Sequence, residues 1–125
     1  MALIGKYAIR RPHFVVKKWL TPEEIHEINI CLTTTLNAYL NSIGKNNNIW
    51  FSLSDLIGGE NKFWPNPIKH VYNVYVAHNE NTAFSNAAKD MGWVLLKILH
   101  DDTRNFRIEH RYRKGKNVRV YTWID

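Results

Sequence analysis

The sequence predicts an α+β domain in which four helices precede a C-terminal β-hairpin. Apolar residues recur at three- and four-residue spacing between residues 22 and 100, and they alternate with polar residues from Asn105 onwards. A chain of 125 residues, 45% of them hydrophobic, fits one compact domain with one core. We expect this domain to span residues 21–125 and to follow a basic N-terminal arm at 1–20.

The first helix has the clearest start signal in the chain. Thr21 can cap the first free amides, Pro22 suits the first helical position, and Glu24 completes a capping box. Apolar residues then keep helical spacing until Gly44, a residue that commonly ends helices. The pattern predicts a helix over 22–43.

Shorter elements follow in the middle of the chain. The apolar triplet 49–51 predicts a short strand, and the Ser-Leu-Ser-Asp sequence at 52–55 predicts the start of a helix of one or two turns. Asn66-Pro67 predicts the start of a third helix over 67–77. In the N-terminal arm, 7–9 and 14–16 are apolar enough to be extended and to add an edge strand.

The fourth helix, predicted over 83–100, has a polar stripe that we expect to be exposed. This stripe consists of Asn86, Lys89, Asp90, Trp93 and Lys97. Asn and Lys side chains can bond base edges, and Lys can also contact phosphate. The alternative for Trp93 is burial in the core, as is usual for large aromatic residues. Gly92 costs a helix about 1 kcal/mol relative to Ala, which indicates close packing.

The predicted hairpin at 105–124 turns at Arg113-Lys114-Gly115-Lys116 and is strongly basic. Six cations are expected to share its surface: Arg107, Arg111, Arg113, Lys114, Lys116 and Arg119. Binding through six phosphates would release counterions and give a log–log salt slope near about −5. The alternative is that the charges form a solvated face that discourages pairing with other strands.

The order of helices followed by a basic hairpin resembles the winged helix-turn-helix family over residues 22–124. Residues 86–96 and the hairpin after them are also loosely similar to the C-terminal winged domains of phage and plasmid replication and primase proteins. The resemblance implies that the helix at 84–99 enters the major groove of DNA. It also implies that the hairpin at 105–124, the wing, contacts the phosphate backbone or the minor groove.

Catalytic, metal and membrane signatures are absent from the sequence. The single Cys31 and the scattered histidines assemble no zinc motif, and no glycine-rich phosphate loop follows a strand. We therefore expect a protein that is not an enzyme and that uses no metal or cofactor. No apolar run reaches the length of a signal-peptide core or a membrane span, so the sequence predicts a cytoplasmic protein without a membrane partner.

The net charge of +6 favours a polyanionic partner, and DNA is the leading interpretation. The predicted role is that of a regulator or replication accessory, and 14 asparagines together with many Lys and Ile residues suggest the AT-rich genome of a phage or mobile element. The alternative is a small inhibitor or interaction module, such as a phage anti-defence protein. Such a module would bind a host or replication protein through its aromatic and basic surface.

Overall fold

The chain forms an α+β structure in which a three-stranded sheet is completed by the C-terminal hairpin. In a computed structural model, which describes residues 3–5, 14–59, 64–113 and 115–125, four α-helices are present. The elements in chain order are β1 (Leu3–Ile4), a 3-10 helix (Val15–Trp19), α1 (Pro22–Ile43), α2 (Leu53–Ile57), α3 (Asn66–Ala77), α4 (Ala83–Asp101), β2 (Phe106–Arg113) and β3 (Lys116–Trp123). This confirms the predicted fold class of four helices and a C-terminal hairpin.

Local sequence signals set the ends of the first two helices. The Thr21 hydroxyl accepts a hydrogen bond from the Glu24 amide at 3.1 Å, and the Thr21 amide donates to the Glu24 carboxylate at 2.8 Å. Gly44 ends α1 with φ at +76°, so the predicted helix 22–43 is confirmed. At the start of α2, the Ser52 amide donates to the Asp55 carboxylate at 2.8 Å.

The sheet has the order β1-β2-β3, with β1 parallel and β3 antiparallel to β2. The predicted strand at 49–51 is reduced to Phe51, which exchanges two main-chain hydrogen bonds of 2.8 Å with Tyr121 of β3. The expectation of an extended segment at 14–16 is wrong, because the 3-10 helix begins there. The expectation for 7–9 lies outside the described residues.

Helix α4 is the central element of the structure, because it contributes to two buried clusters. Its N-terminal half packs through Ala87, Met91 and Val94 against α1, α3 and the 3-10 helix. Its C-terminal half packs through Leu95, Leu96 and Leu99 against the sheet and the end of α1. A helix with two covered sides has few positions left for a ligand, and this limits where the interface can lie.

Candidate nucleic-acid interface

The register of the hairpin decides which of its cations lie together. Arg113 is opposite Lys116, and the same register places Arg111 opposite Val118 and Arg107 opposite Thr122. Directly opposite residues of an antiparallel pair project from the same face. One face of the hairpin, here called the outer face, therefore carries residues 107, 109, 111 and 113 of β2 with residues 116, 118, 120 and 122 of β3, of which Val120 and Thr122 are buried.

The outer face presents a row of exposed cations. Arg107, Arg113 and Lys116 are exposed, and within the described part of the chain none of them is ion-paired to a carboxylate. Arg111 is partly committed, since its guanidinium donates to Glu109 at 3.1 and 3.2 Å and lies 4.5 Å from the centre of the Trp50 ring. Lys114, the sixth predicted cation, lies outside the described residues.

Arg119 does not belong to this row, so the expectation that it shares a surface with Arg107, Arg111 and Arg113 is wrong. It is opposite His110, and alternation along β2 puts His110 on the same face as the buried Phe106 and Ile108. That face of the hairpin packs on α4. Arg119 lies on this face because the two-residue turn between Arg113 and Lys116 fixes the register of the two strands.

A groove lies between α4 and β3, and we call it the helix–strand groove. Residues 84–95 of α4 and 116–121 of β3 line most of its wall, and it has a volume of about 370 Å³. Three cations line it: Lys89, Lys116 and Arg119. No carboxylate is among its described lining residues, which also provide serine hydroxyls and the Asn117 amide. The groove is thus suited to an anionic ligand.

The groove is open because α4 has small residues on this flank. Ser85, Ala88 and Gly92 line it at helical spacing. A side-chain carbon built at Gly92 would approach only the Arg119 guanidinium, at 3.4 Å, and no backbone of another element. The expectation that Gly92 indicates close packing is therefore wrong: this glycine leaves space beside a cation.

The strand side of the groove contributes main-chain groups. Since Tyr121 bonds outward to Phe51, the alternation of an antiparallel ladder turns the amides and carbonyls of Asn117 and Arg119 away from β2 as well. Among the described residues, no main-chain group pairs with them on that side. The edge of β3 therefore adds hydrogen-bond donors and acceptors to the groove.

The predicted exposed stripe of α4 is interrupted by Asp90, which is 0% exposed rather than solvent-facing. Its carboxyl oxygens accept hydrogen bonds from the amides of Val15 and Val16, each at 3.1 Å, and from the Tyr75 hydroxyl. Asp90 thereby holds the start of the 3-10 helix against α4. The expectation that Asp90 is exposed with the rest of the stripe is wrong for this reason.

The other residues of the stripe divide into separate places. Trp93 is partly buried and its ring stacks on Phe14 with centroids 6.2 Å apart. Lys97 is exposed and pairs with Asp101 at 3.0 Å, whereas the Asn86 amide donates to the Asn81 carbonyl at 3.3 Å. Trp93 and Lys97 lie on the flank beside the 3-10 helix, whereas Asn86 bonds to the loop that precedes α4. Of the predicted stripe, Lys89 lines the helix–strand groove.

Not every cation near the hairpin is available to a ligand. Arg104 donates to both carboxylate oxygens of Asp102, at 2.9 and 2.8 Å, and to Asn37 of α1 at 2.7 Å. These side-chain hydrogen bonds are the main cause that holds the pKa of Asp102 below its ordinary value.

In the groove itself, burial raises the pKa of Tyr121 to about 12, so its hydroxyl stays protonated at neutral pH.

Sequence reasoning missed Tyr112, Asn117 and Ser85. The first two share the helix-side face of the hairpin with Arg119, and a register derived from the two-residue turn would have located them. Ser85 is three residues before Ala88 and seven before Gly92, so the small-residue spacing was the available signal.

Within the described residues, no helix combines the length and the apolarity needed to cross a bilayer. No three His, Cys, Asp or Glu side chains of the described part come close enough together to hold a metal ion. The chain matches no protein-family model, no curated protein and no solved structure.

Proposed function

We propose that this protein is a winged-helix-like nucleic-acid-binding protein whose hairpin holds the phosphate backbone of duplex DNA. The proposed role is that of a regulator or replication accessory of a phage or mobile element. The observation that carries the proposal is the outer row of Arg107, Arg113 and Lys116, which are exposed and without an ion-pair partner in the described part of the chain.

The length of the row suits a phosphate backbone. From Arg107 to Arg113 the strand advances by about 20 Å, and one DNA strand presents a phosphate about every 3.4 Å along the helix axis. Cations spread over this distance can therefore contact phosphates at several positions. On this face four cations stand against the single Glu109, whereas a surface meant only to discourage strand pairing would gain nothing from an excess of one sign.

The winged-helix-like layout is supported by the order of elements, because α4 leads directly into the hairpin and Phe51 pairs with the far side of β3. The covered flank of α4 changes what binding can achieve. With Asp90 and Trp93 packed under the 3-10 helix, few side chains of α4 can reach base edges. We therefore expect contacts mainly to phosphates and a weak preference for DNA sequence.

A salt titration tests the proposal. With three exposed cations, a plot of the logarithm of the duplex binding constant against the logarithm of the salt concentration should have a slope of about −3, shallower than the slope expected for six. The binding constant is measured by fluorescence anisotropy of a labelled duplex. The double variant Arg107→Ala/Arg113→Ala removes two of them and should bring the slope to about −1. Both side chains are exposed, so the free energy of unfolding should change by no more than about 0.5 kcal/mol each.

The matched control is Lys18→Ala/Lys69→Ala, which removes the same net charge from the 3-10 helix and α3. We expect this variant to keep the slope of the wild type. Equal losses in both variants would mean that binding follows net charge and not the outer row. A wild-type protein that does not bind duplex DNA at low salt would refute the function itself.

A further inference from the structure

The helix–strand groove is too small for a duplex. Its volume of about 370 Å³ lies at the low end of small-molecule pockets, whereas the major groove of a duplex is alone about 12 Å wide. The groove is open to solvent along the edge of β3, so an extended chain can enter it from the side. Any anionic ligand that fits has to be narrow.

The charge of the groove favours phosphate over neutral ligands. Lys89 approaches from α4, while Lys116 and Arg119 approach from β3, so cations stand on both walls. The outward main-chain amides of Asn117 and Arg119 and the Ser85 hydroxyl supply further donors to phosphate oxygens. Phosphate contacts of this kind are independent of the base sequence.

Two exposed aromatic rings are available to bases, one in the groove wall and one on the helix-side face of the hairpin. Tyr112 is 75% exposed and is opposite Asn117, so it projects from the same face of the hairpin as Asn117 and Arg119, next to the residues that line the groove but not among them. Phe84 is 37% exposed, lines the groove, and is supported from below by stacking on Trp64 with ring centroids 5.3 Å apart. Exposed rings next to cations are the combination that binds unpaired bases.

We propose that the helix–strand groove binds an unpaired nucleic-acid strand, with phosphates held by Lys89, Lys116 and Arg119 and bases stacked on Tyr112 and Phe84. This inference rests on the proposed function, because it assumes that nucleic acid is the ligand. It adds a second contact surface along the edge of β3, which shares Lys116 with the outer row. An acidic peptide would satisfy the cations but would leave the exposed rings without a partner.

The test measures anisotropy with two labelled probes, a short oligothymidylate and a blunt duplex. Tyr112→Ala removes an exposed ring without changing charge, and it should weaken oligothymidylate binding by about fivefold to a hundredfold while leaving the duplex affinity unchanged. Tyr112→Trp keeps a stacking surface and should retain the wild-type affinity. A merely structural role for Tyr112 would not predict rescue by a larger ring.

Gly92→Leu provides a second variant that also preserves charge. Its side chain would extend into the open space beside Arg119, so it should weaken oligothymidylate binding by about tenfold or more while the outer row stays intact. Circular dichroism reports whether this variant folds. If it does not, the Tyr112 pair of variants still decides the question.

The outcomes separate the two proposals. A wild type that binds neither probe refutes the proposed function, and one that binds the duplex but not the oligothymidylate refutes only the groove. Unchanged oligothymidylate affinity in Tyr112→Ala also overturns the groove proposal. Displacement of the oligothymidylate by polyglutamate at equal charge concentration would contradict it as well, since a carboxylate polymer has no bases to stack.

Discussion

Replacing Asp90 by Ala is expected to destabilise the protein strongly, because this buried carboxyl group is the acceptor for three donors. The Tyr75 hydroxyl and the Val16 amide would be left buried without this acceptor, and the Val15 amide lies close enough to the surface to reach water. An unsatisfied buried donor costs about 1–3 kcal/mol, so two of them give a loss of about 2–6 kcal/mol in the free energy of unfolding.

The loss can be measured by urea unfolding followed through tryptophan fluorescence, with Asp101→Ala as the matched control on the same helix. Asp101 forms an exposed pair with Lys97, so its removal should cost no more than about 1 kcal/mol. A loss below about 1 kcal/mol for Asp90→Ala would refute the assigned anchoring role. If Asp90 instead faced the ligand, the variant would bind duplex DNA more tightly, whereas we expect the affinity of its folded fraction to stay unchanged.

Two further predictions concern residues that the structure assigns to stability. Trp93→Ala should lower the free energy of unfolding by about 2–4 kcal/mol through lost packing on Phe14, and it should leave the duplex affinity unchanged in an anisotropy titration. Unchanged stability together with weaker duplex binding would instead show that Trp93 contacts DNA. Asp102→Asn should cost about 1–2 kcal/mol at neutral pH because it breaks the contacts to Arg104. Since the pKa of Asp102 is lowered in the folded state, its contribution to stability is present above the ordinary Asp pKa of about 4 and is lost as the pH falls through the folded pKa. The free energies of unfolding of wild type and variant should therefore converge in acid. A difference that stays constant with pH would contradict the lowered pKa.

Most of the secondary structure was predictable because its signals are local. The capping box at Thr21 and Glu24 and the glycine at 44 mark the ends of α1 within a few residues of sequence. The change from helical to alternating periodicity at Asn105 likewise marks the start of the hairpin. Neither signal depends on how distant parts of the chain pack.

The composition of the site was less predictable because it depends on contacts between distant residues. Asp90 bonds to amides that are 74 and 75 positions away in sequence, so helical periodicity alone placed this polar side chain in solvent. The 3-10 helix that covers it follows a basic segment that had no periodic signal. The face of Arg119, unlike the burial of Asp90, could have been predicted, because it follows from the length of the turn. The alternation of β3 alone does not show which side Arg119 takes, since apolar residues occupy both faces of this strand.

The division of the hairpin cations between two faces gives a stronger argument for binding than a single row would. A solvated edge needs charge only where another strand could pair, yet Arg107 lies on β2, between β1 and β3. The groove beneath Arg119 and Lys116 has no carboxylate among its described lining residues. Cations held together without counter-charges repel one another, and this repulsion lowers stability unless an anionic ligand offsets it. Ligand binding should therefore raise the melting temperature of the wild type, and it should do so less in Arg119→Gln, in which one of the mutually repelling charges is gone.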